Sequence, residues 1–244
     1  MRTPQRACDL MGRGLLIRAV SDLHGHLRDV PPCDVLLIAG DVCPPTDPRP
    51  RVQAAWLDGP CRAWLQGLQA RHVVVVAGNH DFVFQHPELV PALPWTYLQD
   101  RAAVVCGLRV YGTPWTPTGG HWAFQGTVEE LAERFARVPT GLDVLVCHSP
   151  PRGYGDCVRP HHNSLLSRCP PGLHVGSDAL LGAIDRGDPG LVVYGHVHED
   201  RGHWTRGSSV LANVTVLDGA ALPRYPDTVF EFDRDRCAWR VVPR

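Results

Sequence analysis

The chain has 244 residues, and its 24 basic and 25 acidic side chains nearly cancel. This balance excludes the broad basic field that holds many proteins on nucleic acid, and the length suits one large α/β domain. Residues 1–13 are polar and lead into no long apolar stretch, so we expect a flexible tail there, no membrane span, and a single domain over residues 14–244.

Three apolar runs near the amino terminus each end in a short polar cluster. Residues 35–39 are five consecutive apolar residues, which is typical of a parallel strand buried on both faces, and they are followed by Gly40 and Asp41. Similar runs over residues 15–20 and 72–77 lead into Asp22-Leu23-His24 and Gly78-Asn79-His80-Asp81. Because parallel strands present their ligands at their carboxyl ends, we expect these polar side chains to converge there.

The intervening and following segments alternate between helical and extended patterns. Apolar spacing predicts a helix over residues 51–70 that is broken or kinked at Gly59-Pro60. A hairpin over residues 103–112 and an irregular proline-rich loop over residues 112–117 follow. Thr127 and Glu130 form a capping box that predicts a helix to Arg137.

The second half of the chain adds two more strand-to-polar transitions. A strand over residues 144–147 precedes His148, and a strand over residues 191–194 precedes Gly195-His196-Val197-His198. Between them we predict a long irregular loop over residues 149–176 and a helix over residues 177–186. Three β segments, residues 210–217, 229–232 and 239–242, complete the predicted elements.

The polar residues collected from these strand ends form an N/O ligand set. They are two carboxylates, one amide and several imidazoles: Asp22, His24, Asp41, Asn79, His80, His148, His196 and His198. Such donors suit Mn²⁺ or Fe, with Zn²⁺ as a further option. Two such ions about 3.5–4 Å apart can activate water and stabilise charge on the attacking and leaving oxygens of a phosphoester.

In this order, the five clusters resemble the motif set of the calcineurin-like metallophosphoesterase family. The match is similar to one branch, the metallophosphoesterase-domain-containing proteins related to class III cyclic nucleotide phosphodiesterases. The features that suggest this branch are residues 97–100, residues 111–117 and Asn213. The resemblance spans roughly residues 15–233 and implies an α/β fold, a four-layer α/β/β/α sandwich of two mixed sheets flanked by helices.

The resemblance also implies a role for each matching position. Asp22, His24 and His198 would hold one divalent metal; Asn79, His148 and His196 would hold a second, and Asp41 would bridge both. A hydroxide between the metals would attack phosphorus in line, His80 would stabilise or protonate the leaving oxygen, and Asp81 would orient the His80 imidazole. Asp81 replaces the glutamate common in the family, and Cys147 replaces a frequent Gly or Thr; neither change removes a ligand.

Simpler interpretations remain open for individual residues. Asp41 alone could be a helix N-cap, and each histidine alone could be a surface or hydrogen-bonded residue. His80 could be a buried structural histidine paired with Asp81. His26, Trp115 and His174 are predicted to contact substrate, with a surface loop or core packing as the alternative for each.

We predict a phosphodiesterase that acts on cyclic nucleotides or similar small phosphoesters. The alternatives are a phosphomonoesterase or protein phosphatase of the same fold and, from another class, an inactive metal-binding scaffold. Nine cysteines without Cys-x-x-Cys spacing favour the cytoplasm, although Cys157 and Cys169 could pair. The balanced charge argues against a nucleic-acid partner, and the sequence leaves the oligomeric state open.

Overall fold

The computed structural model describes residues 14–159 and 170–243. The predicted tail over residues 1–13 lies outside this part of the chain, as does Cys169 with its proposed pairing. Within the described residues the helices are α1 Pro50–Trp56, α2 Arg62–Gly67, α3 Val128–Ala136 and α4 Asp178–Gly187. The strands are β1 Leu15–Val20, β2 Cys33–Ala39, β3 Ala70–Val76, β4 Thr96–Tyr97, β5 Arg101–Val105, β6 Leu108–Thr113, β7 Thr116–Pro117, β8 Gln125–Gly126, β9 Val144–Cys147, β10 Leu191–Tyr194, β11 Gly202–Arg206, β12 Ser209–Asn213, β13 Thr228–Asp233 and β14 Ala238–Val242.

Two six-stranded mixed sheets form the centre of the molecule. The first has the order β14-β13-β1-β2-β3-β4 and the second the order β11-β12-β10-β9-β6-β5. In the first sheet β1, β2 and β3 are parallel neighbours, and in the second β6, β9, β10 and β12 are parallel neighbours. The strands that precede the polar clusters are therefore central in both sheets.

The side-chain period of two explains how one strand serves two apolar layers. On β2, Val35 and Leu37 pack into the core between the two sheets, whereas Leu36 and Ile38 pack with Leu57 on the helical side. On the second sheet, α3 and α4 pack over the face opposite the inter-sheet core. Helices thus cover both outer faces, and the predicted four-layer sandwich is confirmed.

Most of the predicted elements are present, with small shifts of their ends. The hairpin is formed by β5 and β6, and the capping box opens α3, where Thr127 Oγ1 accepts from the Glu130 N–H and Glu130 accepts from the Thr127 N–H. Ser177 caps α4 through the Leu180 N–H. Between residues 149 and 176, the described residues form only isolated bridges, as predicted for an irregular loop.

One prediction about secondary structure is refined and two were wrong in detail. The predicted interruption of the helix at Gly59-Pro60 is present as a π-helical turn, Leu57–Cys61, which separates α1 from α2 and contains Pro60, a residue that has no N–H to donate. The proline-rich loop is partly regular, because Thr116 and Pro117 pair with Gln125 and Gly126. The strand predicted over residues 210–217 ends at Asn213, and β11 was not predicted.

Candidate metal centre

The polar clusters meet at the carboxyl ends of β1, β2, β3, β9 and β10. Backbone hydrogen bonds join the loops: the Asp22 N–H donates to Gly40 O at 3.0 Å, and the His24 N–H donates to Asp41 O at 2.8 Å. In the second sheet, the Gly195 N–H donates to His148 O at 3.1 Å. The Ser21 N–H, which donates to Val214 O at 3.1 Å, connects the two sheets.

Asp41 lies between histidines that come from different sheets. Its Oδ2 atom is 3.5 Å from His24 Nε2, which follows β1, and 3.3 Å from His148 Nε2, which follows β9. His148 Nε2 is also 3.0 Å from Asn79 Oδ1. One carboxylate oxygen therefore faces a member of each predicted ligand set.

Asp22 occupies the corresponding place in the first ligand set. Its Oδ1 atom is 3.4 Å from His198 Nε2, and donor atoms of Asp22, His24 and His198 all lie within 4.8 Å of one another. The same spacing holds for Asp22, Asp41 and His148. The His196 ring lies 5.1 Å from the His148 ring, centroid to centroid. All seven predicted ligands are thus gathered at one edge of the two sheets.

Four of these residues have left-handed backbone conformations. The φ angles are +58° at Asp22, +43° at His24, +52° at Asp41 and +71° at His196. A non-glycine residue in this region costs about 1–3 kcal/mol, and such strain concentrates at functional sites. The sharp turns aim each side chain back over its strand end, towards the other ligands.

Glycines next to the ligands allow this close approach. A Cβ atom on Gly78 would lie 2.2 Å from Asp41 Oδ1, and one on Gly195 would lie 2.2 Å from Asp22 Oδ2. A Cβ atom on Gly40 would lie 2.4 Å from His148 Nδ1, and Gly40 also has a φ of +96°. The glycines of the sequence motifs therefore leave the space that the carboxylates and an imidazole occupy.

The residues present fit a divalent metal. Both ring nitrogens of His24 are buried and, within the described part of the chain, have no hydrogen-bond partner. An imidazole nitrogen left in this state costs free energy unless something coordinates it. With two buried carboxylates beside it, His24 has the surroundings of a metal ligand.

Burial and charge divide the histidines into two groups. Burial lowers the pKa of His24 to about 4, and burial, with the neighbouring His148, lowers the pKa of His196 to about 3. Burial also disfavours charge on His148, but the attraction of Asp41 outweighs it and raises the pKa to about 9. The pKa of His198 is raised in the same way by Asp22.

Asp81 does not make the contact that was predicted for it, which was with the His80 imidazole. Its carboxylate accepts from the backbone N–H groups of Val42 at 3.1 Å, Cys43 at 2.8 Å and Gly78 at 2.9 Å. Burial and the nearby Asp41 raise the pKa of Asp81 to about 6. Asp81 therefore fastens the loop after β2 to the loop after β3, and both its oxygens are engaged there instead of at the His80 imidazole.

His80 lies at the site and is held by its backbone. Its N–H donates to Asp41 Oδ1 at 2.8 Å, and its C=O accepts from Gln53 Nε2 at 2.7 Å. The His80 ring packs edge-on against His24 with centroids 4.8 Å apart. Its donor atom lies within 4.8 Å of those of His24 and Asp41, so the ring borders the ligand cluster.

Comparison with known proteins agrees with this geometry. The family model described as calcineurin-like phosphoesterase matches residues 15–200, which is most of the chain. The chain belongs to this family. Membership supports phosphoester hydrolysis that depends on divalent metals.

Individual relatives support the predicted branch and the fold. Metallophosphoesterase domain-containing protein 1 of Homo sapiens is 28% identical over 247 residues, covering 89% of this chain and 71% of the relative. A UPF0046 protein of Caenorhabditis elegans is 26% identical over 235 residues, covering 87% of this chain and 79% of the relative. The structure of phosphopantetheinyl hydrolase from Mycobacterium tuberculosis superposes with a TM-score of 0.52 at 18% identity, covering 95% and 97% of the two chains, and shows the shared fold.

The three predicted substrate residues have different surroundings. Trp115 packs edge-on against Phe124, lies under the Arg134 guanidinium at 3.3 Å, and donates from Nε1 to Asp100. Its ring is used in packing and its N–H in a hydrogen bond, and the substrate contact of this half-buried residue stays a prediction. His174 is bound through Nδ1 to the buried Asp156 at 2.6 Å. His26 is exposed, and its role stays a prediction.

Two residues that sequence reasoning did not assign to the site also matter. Trp122 packs on His80, with ring centroids 4.3 Å apart. Asn213, noted in the sequence only as a feature of the branch, donates from Nδ2 to Val197 O at 2.8 Å and to Gly155 O at 3.1 Å. Asn213 thereby holds the turn between His196 and His198. Neither residue lies in a helical or strand periodicity that would indicate a place at the site. Only the position of Asn213 at the end of an apolar run indicates one.

Among the residues the structure describes, no helix combines the length and the apolar character needed to cross a membrane.

We predict that Gly78→Ala lowers metal binding. The added Cβ would lie 2.2 Å from Asp41 Oδ1, so the shared carboxylate must move. Metal content after reconstitution, measured by elemental analysis, should fall at both sites. The matched control is Gly182→Ala on α4, where an added Cβ meets nothing within 4 Å. Equal metal content in the two variants would contradict the assignment of Asp41.

Metal binding should release protons near pH 7. In the metal-free protein the pKa of His148 is about 9, so its imidazole is protonated at pH 7 and must lose that proton to become a ligand. Affinity should therefore rise with pH by about tenfold per unit up to roughly pH 9 for this one group. Calorimetric titrations at pH 7 in buffers of different ionisation enthalpy measure the release. The same apparent enthalpy in every buffer would contradict the prediction.

Proposed function

We propose that the protein is a dinuclear metal-dependent phosphodiesterase that hydrolyses cyclic nucleotides or similar small phosphoesters. The observation that carries the proposal is the position of Asp41, whose Oδ2 atom faces both His24 and His148. A carboxylate oxygen shared by donors from two ligand sets is the arrangement that a two-metal centre requires. Family membership supports phosphoester hydrolysis, and the two-metal centre and the substrate are proposed beyond it.

Two ligand sets would hold the ions. Asp22, His24 and His198 would bind one, Asn79, His148 and His196 the other, and Asp41 both. The donor chemistry favours Mn²⁺ or Fe, with Zn²⁺ as an alternative. When bound, the metals would supply an activated water and positive charge for the phosphoryl oxygens.

His80 would act on the leaving oxygen. Its ring borders the ligand cluster while its backbone is fixed on both sides, by Asp41 and by Gln53. Burial lowers the pKa of His80 in the metal-free protein. An anionic phosphoester beside the ring would favour the protonated imidazole, which could then transfer its proton to the leaving alkoxide.

The residue set also bears on the rival functions. An inactive scaffold usually lacks a ligand or the motif histidine, whereas this chain has every one of them.

We further propose that the substrate is a small molecule and that the protein acts in the cytoplasm without a nucleic-acid partner. The cysteines within the described residues are free thiols: Cys33, Cys43, Cys61, Cys106, Cys147, Cys157 and Cys237. Free thiols are the usual state in a reducing compartment. The formal net charge of −1 offers no basic field for nucleic acid.

A substrate panel tests the proposed reaction. The metal-reconstituted protein should hydrolyse 2′,3′- or 3′,5′-cyclic nucleotides and a generic phosphodiester faster than a phosphomonoester. Asp41→Asn, assayed in parallel, should lose activity together with metal at both sites. Preference for the monoester would replace the proposal with a phosphomonoesterase, and inactivity of the fully loaded protein would favour the scaffold.

His80→Ala should leave both metals bound and lower turnover by roughly 10²–10⁴-fold. The loss should be greater for a cyclic nucleotide, whose ribose alkoxide must be protonated, than for a nitrophenyl ester, whose leaving anion is already stable. The control is His72→Ala, at the other end of β3 and exposed. Equal losses on both substrates would show that His80 positions phosphate instead, and full activity would show that it is structural.

A further inference from the structure

We propose that Trp122 is a positioning residue that holds the His80 imidazole on the leaving-group side of the site. The inference rests on the proposed function, because it assigns Trp122 a part in the proton transfer that His80 would perform. It concerns contacts between these two side chains and does not depend on which metal is bound.

The His80 ring lies between two other rings. Trp122 is 4.3 Å away, centroid to centroid, at an interplanar angle of 37°, and His24 is 4.8 Å away at 88°. Within the described residues, His80 makes its hydrogen bonds through its backbone, and Asp81 is engaged elsewhere. The rotation of the imidazole is therefore set by ring packing, and Trp122 is the larger of its two neighbours.

Hydrogen bonds hold the loop that carries Trp122 next to the turn that carries His80. The Ala123 N–H donates to Asn79 O at 3.0 Å, which ties the loop to the residue directly before His80. Ala123 is fully buried, and the Thr116 N–H donates to Phe124 O at 2.9 Å. A movement of the Asn79-His80 turn would therefore move the Trp122 backbone with it.

The tip of the same loop is closed by Gln125. In the orientation that satisfies both ends of its amide, Gln125 donates to Gly120 O at 2.7 Å and accepts from the Gly119 N–H at 3.0 Å. An added Cβ on Gly120 would lie 3.1 Å from Trp122 Nε1, so the indole folds back against its own loop. The indole therefore lies between the tip of its own loop and the His80 ring.

The exposure of Trp122 argues against a purely structural role. The residue is 39% exposed, whereas Ala123 and Phe124 beside it are buried and supply the apolar packing of the segment. A large aromatic side chain that contributes little to the core, yet lies against the proposed acid, is placed where it affects orientation. Misplacing a reacting group by about 1 Å can cost about 10²-fold in rate.

Steady-state kinetics of Trp122→Ala and Trp122→Phe test the inference. On a cyclic nucleotide, Trp122→Ala should lower kcat by roughly 10- to 10²-fold with little change in KM, and Trp122→Phe should recover most of the loss. On a nitrophenyl ester the loss should be small. His121→Ala, an exposed neighbour in the same loop, should behave as the unaltered protein. A raised KM with unchanged kcat would overturn the inference in favour of direct substrate contact.

A double-mutant cycle tests whether Trp122 acts through His80. In the His80→Ala background, Trp122→Ala should cause no further loss, because the group it positions is gone. Losses that multiply would overturn the inference. If His80→Ala keeps full activity, the proposed role of His80 fails, and this inference with it. If His80→Ala is impaired while Trp122→Ala is not, only the inference fails.

A measurement on the metal-free protein gives a readout that does not depend on activity. With ¹³C-labelled histidine, the ring resonance that disappears in His80→Ala is that of His80. This resonance should shift in Trp122→Ala, because the indole ring current is removed, and should shift less in Trp122→Phe. An unchanged resonance would overturn the inference. Trp122→Leu, which keeps apolar volume without a ring, replaces the alanine variant in every arm if that variant unfolds.

Discussion

The structure depends on a buried carboxylate, Asp41, held between imidazoles that belong to two different sheets. Burying an ionised group without a partner costs several kcal/mol, so Asp41 depends on the His148 imidazole beside its Oδ2 atom and on the His80 N–H that donates to its Oδ1 atom. This requirement fixes how the sheets face each other. The ends of β1, β2 and β9 must meet within a few ångströms, and the inter-sheet core packs behind them.

The backbone around Asp41 has the features that let side chains from several strand ends approach one another closely. Asp41 itself adopts a left-handed conformation, and Gly78 leaves the space for its other oxygen. Asp81 then binds the backbone N–H groups of both neighbouring loops, so one carboxylate at the site stabilises the position of another. The Gly-Asn-His-Asp sequence is thus one structural unit: the glycine leaves space for Asp41, Asn79 and His80 lie beside the gathered side chains, and Asp81 fastens the turn.

The sequence was informative wherever a local pattern has one physical meaning. Five apolar residues before Gly40 and Asp41 predicted a central strand with Asp41 at its carboxyl end, because burial on both faces leaves no polar position. Patterns with several solutions did not specify the structure. Pro60 predicted an interruption of the helix but not that it is a π turn, and Asp81 could bind an imidazole or three backbone amides. Trp122 shows no pattern at all, because its contact with His80 is made by a loop whose path depends on tertiary packing.

Charge balance explains how the same cluster can exist without metal. Asp22 and Asp41 keep their pKa values below the usual range, although burial alone would raise them, because His198 and His148 lie beside them. The pKa values of these two histidines are raised in return, whereas burial keeps His24 and His196 neutral. Two negative charges are thus offset by two protons on imidazoles. A divalent ion held by these residues would take the place of the protons on His148 and His198, and would supply the positive charge that those protons provide in its absence.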